Sequence, residues 1–235
     1  MLLEEFLKIF FNSLFEKRDS EITLKNSPLV SMEVKKKIDY KRYTLLVNKK
    51  EIICVSHKPL EVGQNYWSII SMDKHGIITL SNLSKQPDFF QNNSFFSFGI
   101  SFDKIKENLR AKDGLSYYKE ILNKEKNLDT QKIKNLLFCA DNGILSYPLF
   151  FNNERMLLQF KIINQNLNEK RVQYYFGFKN FGCFGGIVNE NGNITISSKY
   201  HHIVDKIIDK GIIFKKEGIV RPLCNISKSI LDLKG

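Results

Sequence analysis

Cysteine is scarce and never closely paired in this sequence: four residues in 235, Cys54, Cys139, Cys183 and Cys224, with no C-x-x-C among them. Structural zinc sites and dithiol redox motifs are built on such close pairs, so neither is written here. Scattered single cysteines imply reduced, buried thiols and a cytoplasmic protein. Long apolar runs are missing too. Stretches such as IIF and YPLFF are far too short to span a bilayer, so no membrane insertion is expected. Glu4, Glu5 and Lys8 interrupt the N-terminal hydrophobic stretch and exclude the layout of a secretory signal. Negative charge is in deficit, with 25 Asp and Glu against 36 Lys and Arg, a net charge of +11. An acidic partner would suit that balance. The basic residues are spread through every segment, however, which favours a solvated basic surface.

The sequence does hold the material of a folded protein: 43% hydrophobic residues and a mean hydropathy of −0.26. Leu3, Phe6, Leu7, Phe10, Leu14 and Phe15 recur at helical spacing and predict an amphipathic helix over 2–17. Between Tyr40 and Pro87 the period drops to two. A hairpin is expected at Leu45–Val47 and Ile52–Ser56, then two strands around a turn at Asp73–Gly76. Four or five short strands in fifty residues imply a small barrel of the OB or SH3 type. Tyr66 and Trp67 are adjacent and point to opposite faces of their strand, so at most one is expected in a core. The other would offer a stacking surface for single-stranded nucleic acid.

Residues 89–100 read as a linker with aromatic anchors, and helices are expected at Phe102–Arg110, Leu115–Glu125 and Thr130–Phe138, the last capped by Asp129. Strands return at Ile144–Phe151, Arg155–Ile163, Arg171–Phe178, Ile187–Glu190 and Ile194–Ser198, the last two joined through Asn191–Gly192. A helix starting at Ser197 or Ser198 and ending at Gly211, then a strand over Ile212–Val220, completes the pattern. The fold class expected is α+β: a small N-terminal β-barrel (OB/SH3-like), a helical middle, and a C-terminal β-meander with one packed helix. The corresponding divisions are a helix at 1–25, the barrel at 30–88, a helical connector at 89–140, an α+β domain at 141–222 and a tail at 223–235.

The stretch FGFKNFGCFGG, Phe176 to Gly186, holds four glycines and raises the question of a phosphate loop. Neither G-x-x-x-x-G-K-[ST] nor G-x-G-x-x-G is present, and residues 187–196, IVNENGNITI, read as a hairpin rather than the helix N-terminus an anion needs. The glycines are therefore read as geometry. Cys54 and His57 lack two further zinc ligands, with His75 the nearest candidate, and His201 and His202 point about 100° apart on their helix. Cys183 has no base beside it, and Asp205 and Asp209 are flanked by lysines on a solvated face. No catalytic residue, cofactor or metal site is assigned, and the chain is read as a non-enzyme.

The order of elements in YPLFFNNERMLLQFKI (147–162), FGFKNFGCFGGIVNENGNITISS (176–198) and YHHIVDKIIDKGIIFKKEGIV (200–220), with the upstream LLVNKKEIICVSHKPLEVGQNYWSII (45–70), resembles the bacterial flagellar hook-length control family. The resemblance covers roughly residues 40–222. The family's long low-complexity ruler segment is not in this sequence, so the likeness implies a short relative retaining the domain that contacts the export gate. It implies a cytoplasmic protein-interaction module acting on the flagellar type III export apparatus, in substrate switching or assembly, with an export-gate or other flagellar assembly protein as partner. Phe181, Gly182, Phe184 and Gly185, together with Tyr66 and Trp67, are the expected partner-binding residues. The second reading is a single-stranded nucleic-acid-binding protein using the basic barrel.

Overall fold

The computed structural model describes residues 29–72, 74, 78–91, 96, 100, 102–110, 113–126, 129–151, 154–166, 169–189, 191, 193–200, 212–216 and 220–226. The expected N-terminal helix, nearly all of the C-terminal helix, and His75, His201, His202, Asp205 and Asp209 lie outside them.

Alternation of apolar and polar residues builds the first sheet. Its strands are β1 (Leu29–Lys37), β2 (Arg42–Val47), β3 (Lys50–Val55), β4 (Asn65–Met72) and β5 (Ile78–Lys85), in the order β3-β2-β1-β4-β5 with every pair antiparallel. In β2, Tyr43, Leu45 and Val47 turn inward to meet Met32, Val34, Cys54, Leu60, Tyr66 and Ile70. Asn48 and Lys49 make the two-residue β2–β3 turn, both with positive φ (48° and 67°), the geometry that matches strand twist in a tight hairpin. Asp39 holds the β1–β2 turn by accepting from the Lys41 and Arg42 amides at 3.0 and 2.8 Å. The Arg42 side chain, first among the causes, holds the Asp39 carboxyl down at about 2.

Three helices come next: α1 (Phe102–Arg110), α2 (Gly114–Lys124) and α3 (Thr130–Asp141). Asp113 and Asp129 cap α2 and α3 by accepting from the Ser116 and Lys132 amides at 3.1 and 2.9 Å. The Ser116 and Lys132 side chains first, and those amides second, lower the two carboxyl pKa values, so the contribution is present at neutral pH and is lost as pH falls through the folded-state pKa. Asp129→Ala is expected to lower the thermal midpoint by about 2 °C, and Asp129→Asn, which keeps an acceptor, by less; equal midpoints for all three proteins would contradict the cap.

The second sheet is a meander, β6 (Ile144–Phe151), β7 (Glu154–Asn166), β8 (Glu169–Phe178), β9 (Gly182–Asn189) and β10 (Ile194–Ser198), with β11 (Ile212–Lys216) added parallel to β10. β7 is an interior strand, between β6 and β8, and is buried on both faces from Met156 to Phe160, which explains its near-continuous apolar run. The helices join this core. Tyr118 packs edge-on against Tyr147 with centroids 5.0 Å apart, its hydroxyl donates to the Ser146 carbonyl, and Asn108 donates to the Tyr147 hydroxyl.

The segment 220–226 crosses this sheet as a strap. Gln159, Tyr175 and Gly185 form one row across β7, β8 and β9. Val220 lies over Gly185; Leu223 and Cys224 donate their amides to Gln159 Oε1 at 2.8 and 3.3 Å; Gln159 Nε2 returns a bond to the Cys224 carbonyl at 2.8 Å. Beyond the sheet, Asn135 donates to the Ile226 carbonyl at 2.9 Å and Cys224 is disulfide-bonded to Cys139 of α3.

The folded chain corrects the expectations from sequence in five respects. Among the described residues the fold is mostly β, two sheets that are antiparallel except for the β10–β11 pair, with three short helices, and not the α+β arrangement expected. The first sheet curls as a half-barrel: β3 and β5 approach but share no ladder, so no closed OB- or SH3-like barrel forms among the described residues. The helical middle is no separate connector, because its apolar faces complete the core of the second sheet. The cysteines are not all reduced: Cys139 and Cys224 are bonded, while Cys54 and Cys183 are free and buried. Residues 223–226 are likewise built into the core and are no tail.

Candidate interaction face and junction cleft

The outer face of the first sheet is covered at one end and open at the other. At β1 and β4, Leu29, Trp67 and Ile69 pack into the core of the second sheet. Trp67 Nε1 donates to the Lys179 carbonyl at 2.6 Å, and Gln86 Nε2 donates to the same carbonyl at 3.1 Å and to Ser31 Oγ at 2.8 Å. At β2 and β3 nothing among the described residues covers that face. Ile53 and Val55, two apart and 66% and 52% exposed, stand opposite Thr44 and Arg42. Ile38, Tyr40 and Val62 are further exposed apolar side chains on the adjoining turns, and Lys36, Lys37, Lys50 and Lys58 are exposed around them.

Where the two sheets meet, a cleft of about 500 Å³ opens. Trp67, Pro87 and Phe89 form one wall, Tyr200 and the strap residues Val220 and Pro222 the other. Lys199, Arg221, Gln86 and Asp88 supply its polar groups, and Lys85, which also lines it, is already paired with Glu61 at 2.8 Å. Lys199, just past the end of β10, donates to the Leu83 carbonyl at 2.7 Å and Ser84 Oγ at 2.8 Å, both neutral. Burial pushes its pKa down, and the nearby Lys58 ammonium pushes the same way. Lys199 also lines a second groove of about 420 Å³ between the end of β3 and β5, with His57 and Lys58.

These groups offer a bound molecule hydrogen bonds, positive charge and apolar contact. Burial pushes the Cys54 and Cys183 thiols up to about 11 and 12, away from the thiolate a nucleophile needs. Tyr118 and Tyr175 are raised by burial as well. Among the described residues no three His, Cys, Asp or Glu side chains group as metal ligands do. Cys54 is enclosed in the first core while His57 is exposed, so the pair does not converge.

The residues expected to bind a partner lie inside the molecule. Tyr66 is in the first core and Trp67 in the second, so the opposite-face prediction holds while the limit of one core residue does not. Phe184 is fully buried, Phe181 packs against the same core, and Gly182 and Gly185 are buried beneath Tyr200 and Val220. These six residues join parts of the chain to one another. Gln86, Lys199 and Arg221 had no sequence signal: a lone glutamine and two basic residues in a basic protein acquire meaning only when the fold gathers them.

No family model, curated protein or solved structure matches the chain. The likeness to hook-length control proteins therefore rests on element order alone. Among the described residues no helix is long and apolar enough to cross a membrane.

Proposed function

We propose that this chain is a non-enzymatic protein-interaction module that docks a partner on the open β2–β3 face, and that the partner is a flagellar export-gate or assembly component. The observation carrying the docking reading is the pair Ile53 and Val55, exposed side by side on an edge strand with the exposed Lys50 and Glu51 just before them, an arrangement that costs solvation unless something covers it. The flagellar partner is supported by the sequence order and hydrophobic pattern of the segments at 45–70, 147–162, 176–198 and 200–220. Immobilised protein is expected to capture the purified cytoplasmic domain of the export gate, and Ile53→Asp/Val55→Asp to abolish capture without moving the thermal midpoint, since both side chains face solvent. If no flagellar component is captured and a deletion strain swims normally, the flagellar reading fails.

The nucleic-acid reading has lost its platform, since Tyr66 and Trp67 are both buried. Cytoplasmic placement and the Cys139–Cys224 bond pull in opposite directions, because cytosolic thiols are normally kept reduced. Alkylation of cells before lysis reads which form the chain takes.

A further inference from the structure

The junction cleft contains a buried acceptor with nothing to accept. Gln86 is 1% exposed, and the Lys179 carbonyl and Ser31 Oγ fix its amide nitrogen, which leaves Oε1 without a donor. Buried polar atoms in folded proteins are almost always paired, and Gln86 is one of the residues lining the cleft, so its orphan acceptor points to a ligand that brings a donor. A second unmet demand lies on the same lining. Lys199 has three ammonium protons and two neutral acceptors, and among the described residues no carboxylate pairs with it or with Arg221. Lys85 and Glu61 cancel, so Lys199 and Arg221 against Asp88 leave a single positive charge unmatched in the lining. That balance suits a monoanion better than a phosphate dianion. Between these polar points the walls are apolar and aromatic: Trp67, Phe89, Tyr200, Val220 and Pro222.

We infer that the cleft binds a small carboxylate carrying an apolar body and one N–H donor, the chemistry of an N-acylated amino acid. The carboxylate bridges Lys199 and Arg221, the N–H donates to Gln86 Oε1, and the side chain lies against Trp67 and Tyr200. A volume of about 500 Å³ is within the range of small-molecule sites. The same group is found in a free N-acyl amino acid and at the C-terminus of a peptide. This site is separate from the β2–β3 face, so its test stands or falls independently of the docking proposal.

Trp67 is the single tryptophan of the chain and lines the cleft, so its fluorescence reports occupancy directly. N-acetyl-L-phenylalanine is expected to give a saturable change in Trp67 emission. N-acetyl-L-phenylalaninamide, which lacks the carboxylate, and 3-phenylpropionate, which lacks the N–H, are each expected to bind at least about tenfold more weakly. Lys199→Gln and Arg221→Gln should weaken the first ligand by a similar factor. Arg221 is exposed, so that variant keeps the test open if Lys199→Gln fails to fold. A hexapeptide ending in phenylalanine that binds more tightly than the N-acetyl amino acid assigns the site to peptide ends; equal or weaker binding assigns it to the free molecule. No saturable change up to about 10 mM, equal binding of the amide, or wild-type affinity in both variants overturns the assignment.

Discussion

Reduction of the Cys139–Cys224 disulfide is expected to lower the thermal midpoint by roughly 5–15 °C. The bond joins residues 85 apart, and a cross-link of that span removes much of the unfolded chain's freedom, about 4.5 kcal/mol on a chain-entropy basis and about 2–4 in practice. Its local effect falls on the strap. Reduced, residues 220–226 are left to non-covalent contacts, among them the Gln159 and Asn135 hydrogen bonds and the packing of Val220, Leu223 and Ile226. Gln159 is fully buried in the centre of β7, so a strap that peels away leaves its Oε1 without a donor and its Nε2 with only the Ser146 hydroxyl at 3.0 Å, a penalty of about 1–3 kcal/mol. The strap also supplies Val220, Arg221, Pro222 and Asn225 to the junction cleft, so loosening it should weaken whatever the cleft holds. The check is a pair of melts with and without reductant, beside Cys139→Ser/Cys224→Ser as a variant that reductant leaves unmoved. In denaturant two thiols, Cys54 and Cys183, should react before reduction and all four cysteines after it. Coincident melts, or four reactive thiols in non-reduced protein, would refute the bond.

The disulfide marks the limit of what local sequence patterns encode. Alternation and helical spacing are local, and they succeed where the determinants are local: the β2–β3 hairpin, the Asp129 cap, and the meander from β6 to β10. The parity of Tyr66 and Trp67 is local as well, and it holds. Whether both are buried depends on what covers each face, and the cover for Trp67 comes from Lys179, more than a hundred residues away. The strap is harder still. VRPLCNI has no periodicity to place it, and it is held by a glutamine in the middle of a distant strand. β1 escapes a reading by pattern because its run ends in three lysines, which are solvated past the point where the sheet has a core. The barrel expectation fails for a related reason: five alternating strands dictate a curled sheet, while closure depends on whether β3 and β5 come within bonding distance.

Gly186→Ala is expected to destabilise the fold by about 3 kcal/mol or more, the largest effect of any single methyl group in the glycine-rich stretch. A methyl at 186 would lie 1.9 Å from the Thr195 carbonyl oxygen and 2.8 Å from the Tyr174 hydroxyl, which donates to that same carbonyl. Backbone cannot swing aside as a side chain does. Relief requires β10 to move off β9, which breaks their ladder and drags β11 with it. Gly185→Ala makes the contrast, since its one tight contact is the Val220 Cγ1 at 2.8 Å, on a strap that can shift, and the Tyr174 carbonyl lies at an ordinary 3.5 Å, for a cost of about 1 kcal/mol. Gly182 has both constraints, a φ of +83° and the Tyr200 ring 2.8 Å from any added carbon. Urea unfolding of the two alanine variants, with unchanged m-values, should put Gly186→Ala well below Gly185→Ala. Amide exchange should locate the damage, with β10 and β11 losing protection while β6 and β7 keep theirs. An insoluble Gly186→Ala beside a soluble Gly185→Ala gives the same ordering. Equal stability of the two would mean that the backbone of β10 is not pressed against this glycine. The run FGFKNFGCFGG would then need another explanation than close packing of its neighbours.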